Sequence, residues 1–145
     1  DRQQKRVEGA KRALSRAGIA LPMAYLQERP PVIAGGRAGC AALLKLQEPP
    51  TAIIGCVDYQ AVGAMLEVQE QGLRVPEDVS IVGIDNLELG EHLSPPLTTV
   101  HVPTAIIGER AALQIIGRIE GRTLPRRDEV AIELTVRKST GPVHR

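Results

Sequence analysis

Two aspartates stand directly behind the two most apolar runs of the chain. Asp58 follows residues 51–57, and Asp85 follows residues 79–84 with Asn86 next to it. Side-chain oxygens at such positions accept hydrogen bonds from ligand hydroxyl or amino groups, and the Asn amide also donates. Two carboxylates can also serve as general acid and general base, so an enzyme using Asp58 and Asp85 is one alternative. For Asp58 a helix N-cap is a further interpretation, because a helical pattern follows it.

Arg6 is a third candidate for ligand contact. It lies in the first turn of a helix predicted over residues 5–17, and Gly9, one turn later, permits close approach of another group. The guanidinium fork of an arginine can clamp a carboxylate, a phosphate or a vicinal diol. A solvated surface position is the alternative for Arg6.

Other catalytic patterns are missing from the sequence. The three histidines, at 92, 101 and 144, are scattered without metal-ligand spacing, and neither a GxSxG elbow nor a GxxxxGK[ST] loop occurs. The GGRAG run at 35–39 is a weak glycine cluster, better interpreted as a flexible helix start than as a phosphate cradle. We therefore expect no enzyme, no metal site and no cofactor.

The elements that position the candidate residues alternate between helical and strand patterns. Helical spacing of apolar residues occurs over residues 5–17, 36–47, 59–71 and 104–120. Strand character occurs over residues 51–57, 79–84, 98–102 and 130–136, with a possible short strand near 23–26. This alternation predicts an α/β fold with a parallel sheet and right-handed crossovers. The carboxyl ends of the strands that precede Asp58 and Asp85 then share the edge where such sheets bind ligands.

Composition limits the possible functions. Of the 145 residues 43% are apolar, yet there is no Phe or Trp and only two Tyr, so the core is aliphatic. A net charge of +1 gives no electrostatic case for nucleic-acid or membrane binding by this segment. Cys40 and Cys56 lack CxxC spacing and fit reduced, buried thiols of a cytoplasmic protein. No run approaches the roughly 18 apolar residues of a membrane span.

Three longer motifs carry a family resemblance. TAIIGCVDYQAVGAM at 51–65, EQGLRVPEDVSIVGIDN at 70–86 and LSPPLTTV at 93–100 resemble, in order and spacing, the C-terminal region of lactose/galactose-repressor (LacI/GalR) transcription regulators. RVEGAKRAL at 6–14 and KSTGP at 138–142 fit the same pattern. The resemblance covers nearly the whole chain.

The resemblance implies a periplasmic-binding-protein-like (type I) effector domain, in which a small molecule binds between two lobes. Residues 1–97 would form the C-terminal lobe without its first strand. Residues 98–121 would be a crossover strand and a helix of the N-terminal lobe, and residues 122–145 would return to the C-terminal lobe. The sequence begins without Met, and the headpiece and most of the N-terminal lobe would precede residue 1, so we expect an incomplete piece of a longer protein.

The resemblance also implies a site and partners. Arg6, Asp58 and Asp85 would line the cleft, with Asn86 beside it. The expected partners are a small-molecule effector (a sugar or related metabolite), a second copy in a homodimer, and operator DNA through the missing helix-turn-helix headpiece. The main alternative is a sugar-binding protein of an ABC uptake system, which shares the fold.

Two positions depart from the family pattern. Val57 replaces the usual Asn before Asp58, so an apolar wall takes the place of one polar contact. Arg37 stands after Gly-Gly, where the family often has an aromatic residue. We therefore hypothesise that Arg37 contacts the effector, and that the effector is anionic or differs in shape from a stacked sugar.

Overall fold

A computed structural model describes residues 2–143, so His144 lies outside the described residues. Its helices are α1 (Arg2–Arg16), α2 (Ile33–Leu44), α3 (Asp58–Glu70) and α4 (Thr104–Ile119). Its strands are β1 (Ala52–Ile54), β2 (Ser80–Asp85), β3 (Thr98–His101) and β4 (Glu133–Thr135). Short 3-10 helices occupy Met23–Tyr25 and Glu88–Glu91, so the strand predicted near 23–26 is wrong. Pro22 directly before this turn fixes an extended residue at its start.

The strands form one sheet in the order β1-β2-β3-β4. The first three are parallel, and β4 is antiparallel to β3. Helix α3 connects β1 to β2, which confirms the predicted β-α-β unit and places the ends of both strands on one edge. Strand β3 is hydrogen-bonded to β2, so residues 98–101 continue this sheet instead of starting a separate lobe. The assignment of α4 to another lobe stays a prediction.

The core is aliphatic and lies between the sheet and α3 and between α3 and α2, which packs on it. Its buried residues include Ile81 and Leu97 from the sheet side and Val68 from α3. The two helices meet at glycines: a Cβ on Gly63 would lie 2.1 Å from the Ile33 carbonyl oxygen, and a Cβ on Gly36 would lie 2.1 Å from the Gln60 carbonyl oxygen. Gly36 therefore serves the close packing of α2 on α3, and Gly35 allows the close approach of the Pro30 carbonyl, which corrects the interpretation of GGRAG as a flexible helix start.

The segment after β4 is tied into the sheet. The hydroxyl of Ser139, which is fully buried, donates to the Ile81 carbonyl (2.6 Å) and accepts from the Thr98 amide (2.8 Å). The Ile81 amide in turn donates to the Ser139 carbonyl at 2.7 Å. Ser139 thus connects Ile81 of β2 with Thr98 at the start of β3.

Helices α1 and α4 pack loosely on the rest of the described chain. Helix α1 has no buried residue, and Gly117 is the single buried residue of α4. The large apolar side chains of α4 that are exposed are Ile106, Ile107, Leu113, Ile115, Ile116 and Ile119. A helix that is apolar on most faces is typical of one covered on several sides. Within the described residues, this apolar surface of α4 stays uncovered.

Candidate functional site

Arg6 and Asp85 meet at the carboxyl edge of the sheet. One guanidinium nitrogen of Arg6 lies 3.0 Å from the Asp85 carboxylate, and another donates to the Cys56 carbonyl. Helix α1 is thereby linked to the chain just after β1 and to the end of β2. Both side chains stay partly exposed, at 22% and 30%. They open into a hollow of about 180 Å³, which is lined by Arg2, Gln3, Arg6, Val57 and Asp85.

The backbone at the end of β2 is unusual. Asp85 has φ 124° and Asn86 has φ 56°, a region that residues other than glycine rarely adopt. The Asn86 amide donates to the Thr99 hydroxyl at 3.3 Å, and its side-chain oxygen accepts from Arg137 at 2.9 Å. The Asn86 side-chain amide also lies 3.2 Å from His101 Nδ1. Asn86 therefore makes its hydrogen bonds inside the protein and lies beside the hollow, not in its lining.

Asp58 does not face the hollow, which corrects the expectation from the sequence. Its carboxylate is 1% exposed and accepts from the Thr99 hydroxyl (2.6 Å) and the Leu87 amide (2.7 Å). It is the first residue of α3, whose N-cap is Val57, so capping does not describe it either. A Cβ on Gly83 would lie 2.1 Å from this carboxylate, so glycine at that place in β2 leaves the room that Asp58 needs.

The Arg37 side chain also contacts other protein residues and does not line the hollow. Its guanidinium pairs with Glu67 (3.2 Å) and with Glu70, both on α3. The pKa of Glu67 is lowered, mainly by the hydrogen bond from Gln71 and to a smaller extent by the hydrogen bond from Arg37. Arg37 is not among the residues that line the hollow. The hypothesis of an anionic effector held by Arg37 therefore loses its basis.

The two thiols differ in their relation to the site. Cys56 follows β1, and its backbone carbonyl accepts a hydrogen bond from Arg6. The pKa of its thiol is raised, because the effect of burial exceeds the opposing effect of the Arg6 charge. Cys40 lies in the core on α2, where burial, with a smaller effect of Glu67, raises its pKa to about 11. Both thiols are free; Cys40 is buried, as predicted, whereas Cys56 is only half-buried.

Two further features bear on the class of site. Among residues 2–143 there is no cluster of three His, Cys, Asp or Glu side chains suited to a metal ion. Within the same range, none of the helices has the length and apolar character needed to cross a membrane.

Arg137 and Thr99 contribute to the site region although the sequence did not single them out. Arg137 bonds to the Leu97 carbonyl, to Asn86 and to Glu91, and Thr99 connects Asp58 with Asn86. One signal was present: Thr98 and Thr99 form a polar pair inside a buried strand, and buried hydroxyls need partners. The sequence did not show which residues those partners are.

A mostly parallel sheet whose first two strands are joined by a helix fits one part of a periplasmic-binding-protein-like domain. The model of the periplasmic binding protein-like domain family matches residues 1–140. The chain belongs to this family, and its relatives and structural neighbours place it with the LacI-type regulators.

Three comparisons illustrate the relationship. The ribose operon repressor of Haemophilus influenzae is 44% identical over 117 residues, which is 81% of this chain and 35% of that protein. The structure of a complex of the transcriptional regulator CelR with cellobiose is similar, with a TM-score of 0.87, 32% identity and coverage of 92% of this chain and 41% of that one. A LacI family transcriptional regulator from Mycobacterium smegmatis gives a TM-score of 0.86, 33% identity and coverage of 97% and 53%. The chain spans 35–42% of the length of the curated relatives it matches.

Proposed function

We propose that this chain is the effector-binding part of a LacI-type transcriptional repressor, with Arg6 and Asp85 as the effector contacts. The observation that carries the proposal is the partly exposed ion pair between them, which opens into the hollow at the carboxyl edge of the sheet. In open α/β sheets, this edge is where ligands bind. The named relatives support a regulator, because the proteins similar over most of this chain are repressors.

The chemistry of the pair favours a neutral, polyhydroxylated effector. A guanidinium offers only donors and a carboxylate only acceptors, whereas a hydroxyl both donates and accepts. Neighbouring hydroxyls of a sugar can accept from Arg6 and donate to Asp85, so each charge keeps a partner when the effector binds. Val57 supplies an apolar wall of the same hollow, suited to the C–H face of a sugar ring. A ribose operon repressor and a cellobiose complex among the similar proteins agree with this class.

Binding would control transcription by a shift between conformations. An effector that contacts Arg6 and Asp85 more strongly in one arrangement of two lobes stabilises that arrangement. Residues 102–103 link β3, which is paired with β2 up to Asp85, to α4, so the contact lies near the connection to the proposed second lobe. A helix-turn-helix headpiece outside this sequence would bind the operator, with a second copy forming a homodimer. Such a regulator acts in the cytoplasm, where thiols stay reduced.

Two other functions are less well supported. A sugar-binding protein of an uptake system shares the fold, but the relatives of this chain are named as repressors. An enzyme using Asp58 and Asp85 needs two reactive carboxylates in one place, and Asp58 is buried and bonded to Thr99 and Leu87. The enzyme hypothesis would be supported if the protein turned over a substrate and Asp85→Asn abolished that turnover.

The test is a calorimetric titration of the full-length protein with neutral sugars, beginning with D-ribose and cellobiose. Arg6→Gln removes a charged hydrogen-bond donor to the sugar, which is worth about 1.5–3 kcal/mol, so affinity should fall about 10- to 150-fold. Arg37→Gln is the matched control, because Arg37 is bound to Glu67 and Glu70, and should leave the affinity unchanged. Tight sugar binding that Arg37→Gln weakens and Arg6→Gln does not would refute the proposed site.

A further inference from the structure

The direction of the Asp85 carboxylate depends on a backbone conformation that aspartate rarely adopts. Asp85 and its neighbour Asn86 both have positive φ, 124° and 56°. Two consecutive residues of this kind persist only where surrounding contacts hold them. A relaxed backbone at this point would rotate the Asp85 side chain away from Arg6. The contacts that hold the turn therefore control the direction of the proposed effector contact.

Asp58 holds this turn from one side. It is 1% exposed, and its two carboxylate oxygens accept from the Thr99 hydroxyl (2.6 Å) and from the Leu87 amide (2.7 Å). The same Thr99 hydroxyl accepts from the Asn86 amide at 3.3 Å. One buried carboxylate thus fixes the two backbone amides that directly follow Asp85.

Arg137 holds the turn from the other side. Its guanidinium donates to the Leu97 carbonyl (2.8 Å), to the Asn86 side-chain oxygen (2.9 Å) and to Glu91 (2.6 Å). Its side chain is 13% exposed, and its backbone amide donates to the Thr98 hydroxyl at 2.9 Å. A planar fork with several donors can serve these partners together, which a lysine cannot do in the same geometry.

We infer that Asp58 and Arg137 are positioning residues, which keep the turn at Asp85 and Asn86 left-handed and thereby aim the Asp85 carboxylate at Arg6. The inference rests on the proposed function in one respect, namely that Asp85 contacts the effector. Neither Asp58 nor Arg137 lines the hollow, so both act through Asp85 and not by touching the ligand.

The first test needs no ligand. Amide hydrogen exchange is measured by NMR in the full-length protein for the wild type, Arg137→Gln and Asp58→Asn. We expect the amides of Asn86 and Leu87 to exchange at least ten-fold faster in both variants, a change of about 1.4 kcal/mol in local opening. The amide of Gly55, which donates to the Val82 carbonyl within the sheet, should keep its wild-type rate. Unchanged rates at Asn86 and Leu87, or an equal increase at Gly55, would overturn the inference.

The matched control is Arg74→Gln. Arg74 is bonded to Asp78, four residues away at the surface. The Arg74→Gln substitution therefore removes an arginine without changing a contact of the turn. Its exchange rates at Asn86 and Leu87 should equal those of the wild type. Faster exchange at these amides in Arg74→Gln would show that loss of any arginine charge loosens the turn, against a specific role for Arg137.

The second test is a double-mutant cycle on D-ribose affinity, with Arg137→Gln and Asp85→Asn. If Arg137 acts by aiming Asp85, Arg137→Gln weakens binding about ten-fold alone and has no added effect beside Asp85→Asn. Equal losses in both backgrounds would contradict positioning through Asp85. If the wild type binds neither D-ribose nor cellobiose, the proposed function fails, while the exchange rates still decide whether Asp58 and Arg137 hold the turn.

Discussion

Replacing Gly63 by Ala tests the close contact between α2 and α3 most sharply. An alanine Cβ would lie 2.1 Å from the Ile33 carbonyl oxygen and 2.8 Å from the Arg37 amide nitrogen. Real Cβ contacts do not fall below 3.0 Å, so the helices must separate locally by about 0.9 Å. Helix propensity alone has the opposite sign, since Ala is favoured over Gly by about 0.8–1 kcal/mol in a helix interior.

The magnitude follows from these two opposing effects. Overpacking a close-packed interior typically costs about 1–3 kcal/mol and sometimes more, and here the obstacle is rigid backbone, so we take the upper end. After the gain in helix propensity, we expect Gly63→Ala to lower the free energy of unfolding by about 2 kcal/mol. Urea unfolding followed by circular dichroism measures this as a lower midpoint at unchanged slope.

A second glycine supplies the control. Gly108 lies in α4, and apart from its chain neighbours and the nearby backbone of α4 no described atom lies within 4 Å of an added Cβ, so Gly108→Ala in the 145-residue chain should be stabilising by about 0.8–1 kcal/mol. The two substitutions are chemically identical and are predicted to have opposite signs. If Gly63→Ala also raised the midpoint, the close packing of α2 on α3 would be refuted.

The remaining predictions concern buried groups. Ser139→Ala leaves the Thr98 amide and the Ile81 carbonyl without a partner and should lower the free energy of unfolding by about 1–3 kcal/mol, whereas exposed Ser15→Ala should change it by less than about 0.5 kcal/mol in urea unfolding. Because the pKa of Cys40 is raised to about 11, roughly 0.1% of it is thiolate at pH 8, and its alkylation by iodoacetamide should speed up about ten-fold per pH unit until pH 11. Mass spectrometry that finds Cys40 modified as fast as a thiol of ordinary pKa would contradict its burial.

The sequence predicted the fold class and the sheet edge at which Arg6 and Asp85 meet, because both follow from local patterns. Apolar runs, helical spacing and terminating glycines depend on neighbours a few residues away. For Arg6 and Asp85 the effector contact stays a prediction, although both were chosen from local segments: Arg6 lies in the RVEGAKRAL motif at 6–14, and Asp85 follows a buried strand. The structure then brings them within 3.0 Å.

What the sequence did not predict depends on contacts between distant residues. Asp58 and Asp85 follow equivalent apolar runs. The Asp58 carboxylate, however, is hydrogen-bonded to Thr99, 41 residues later, and does not line the hollow. Arg37 is paired with carboxylates 30 and 33 residues away on α3. Arg137 reaches Asn86 across 51 residues. No local pattern distinguishes an exposed charged residue from one whose partner lies so far along the chain.

The measurement that bears most directly on the central claim is the affinity of Asp85→Asn for the sugar that the full-length protein binds. Asparagine matches aspartate in shape and tolerates positive φ, so the turn should persist while the carboxylate charge is lost. We expect affinity to fall at least about ten-fold with an unchanged urea midpoint, and Asp78→Asn to leave affinity at the wild-type value. Wild-type sugar affinity in Asp85→Asn would contradict the assignment of the effector site.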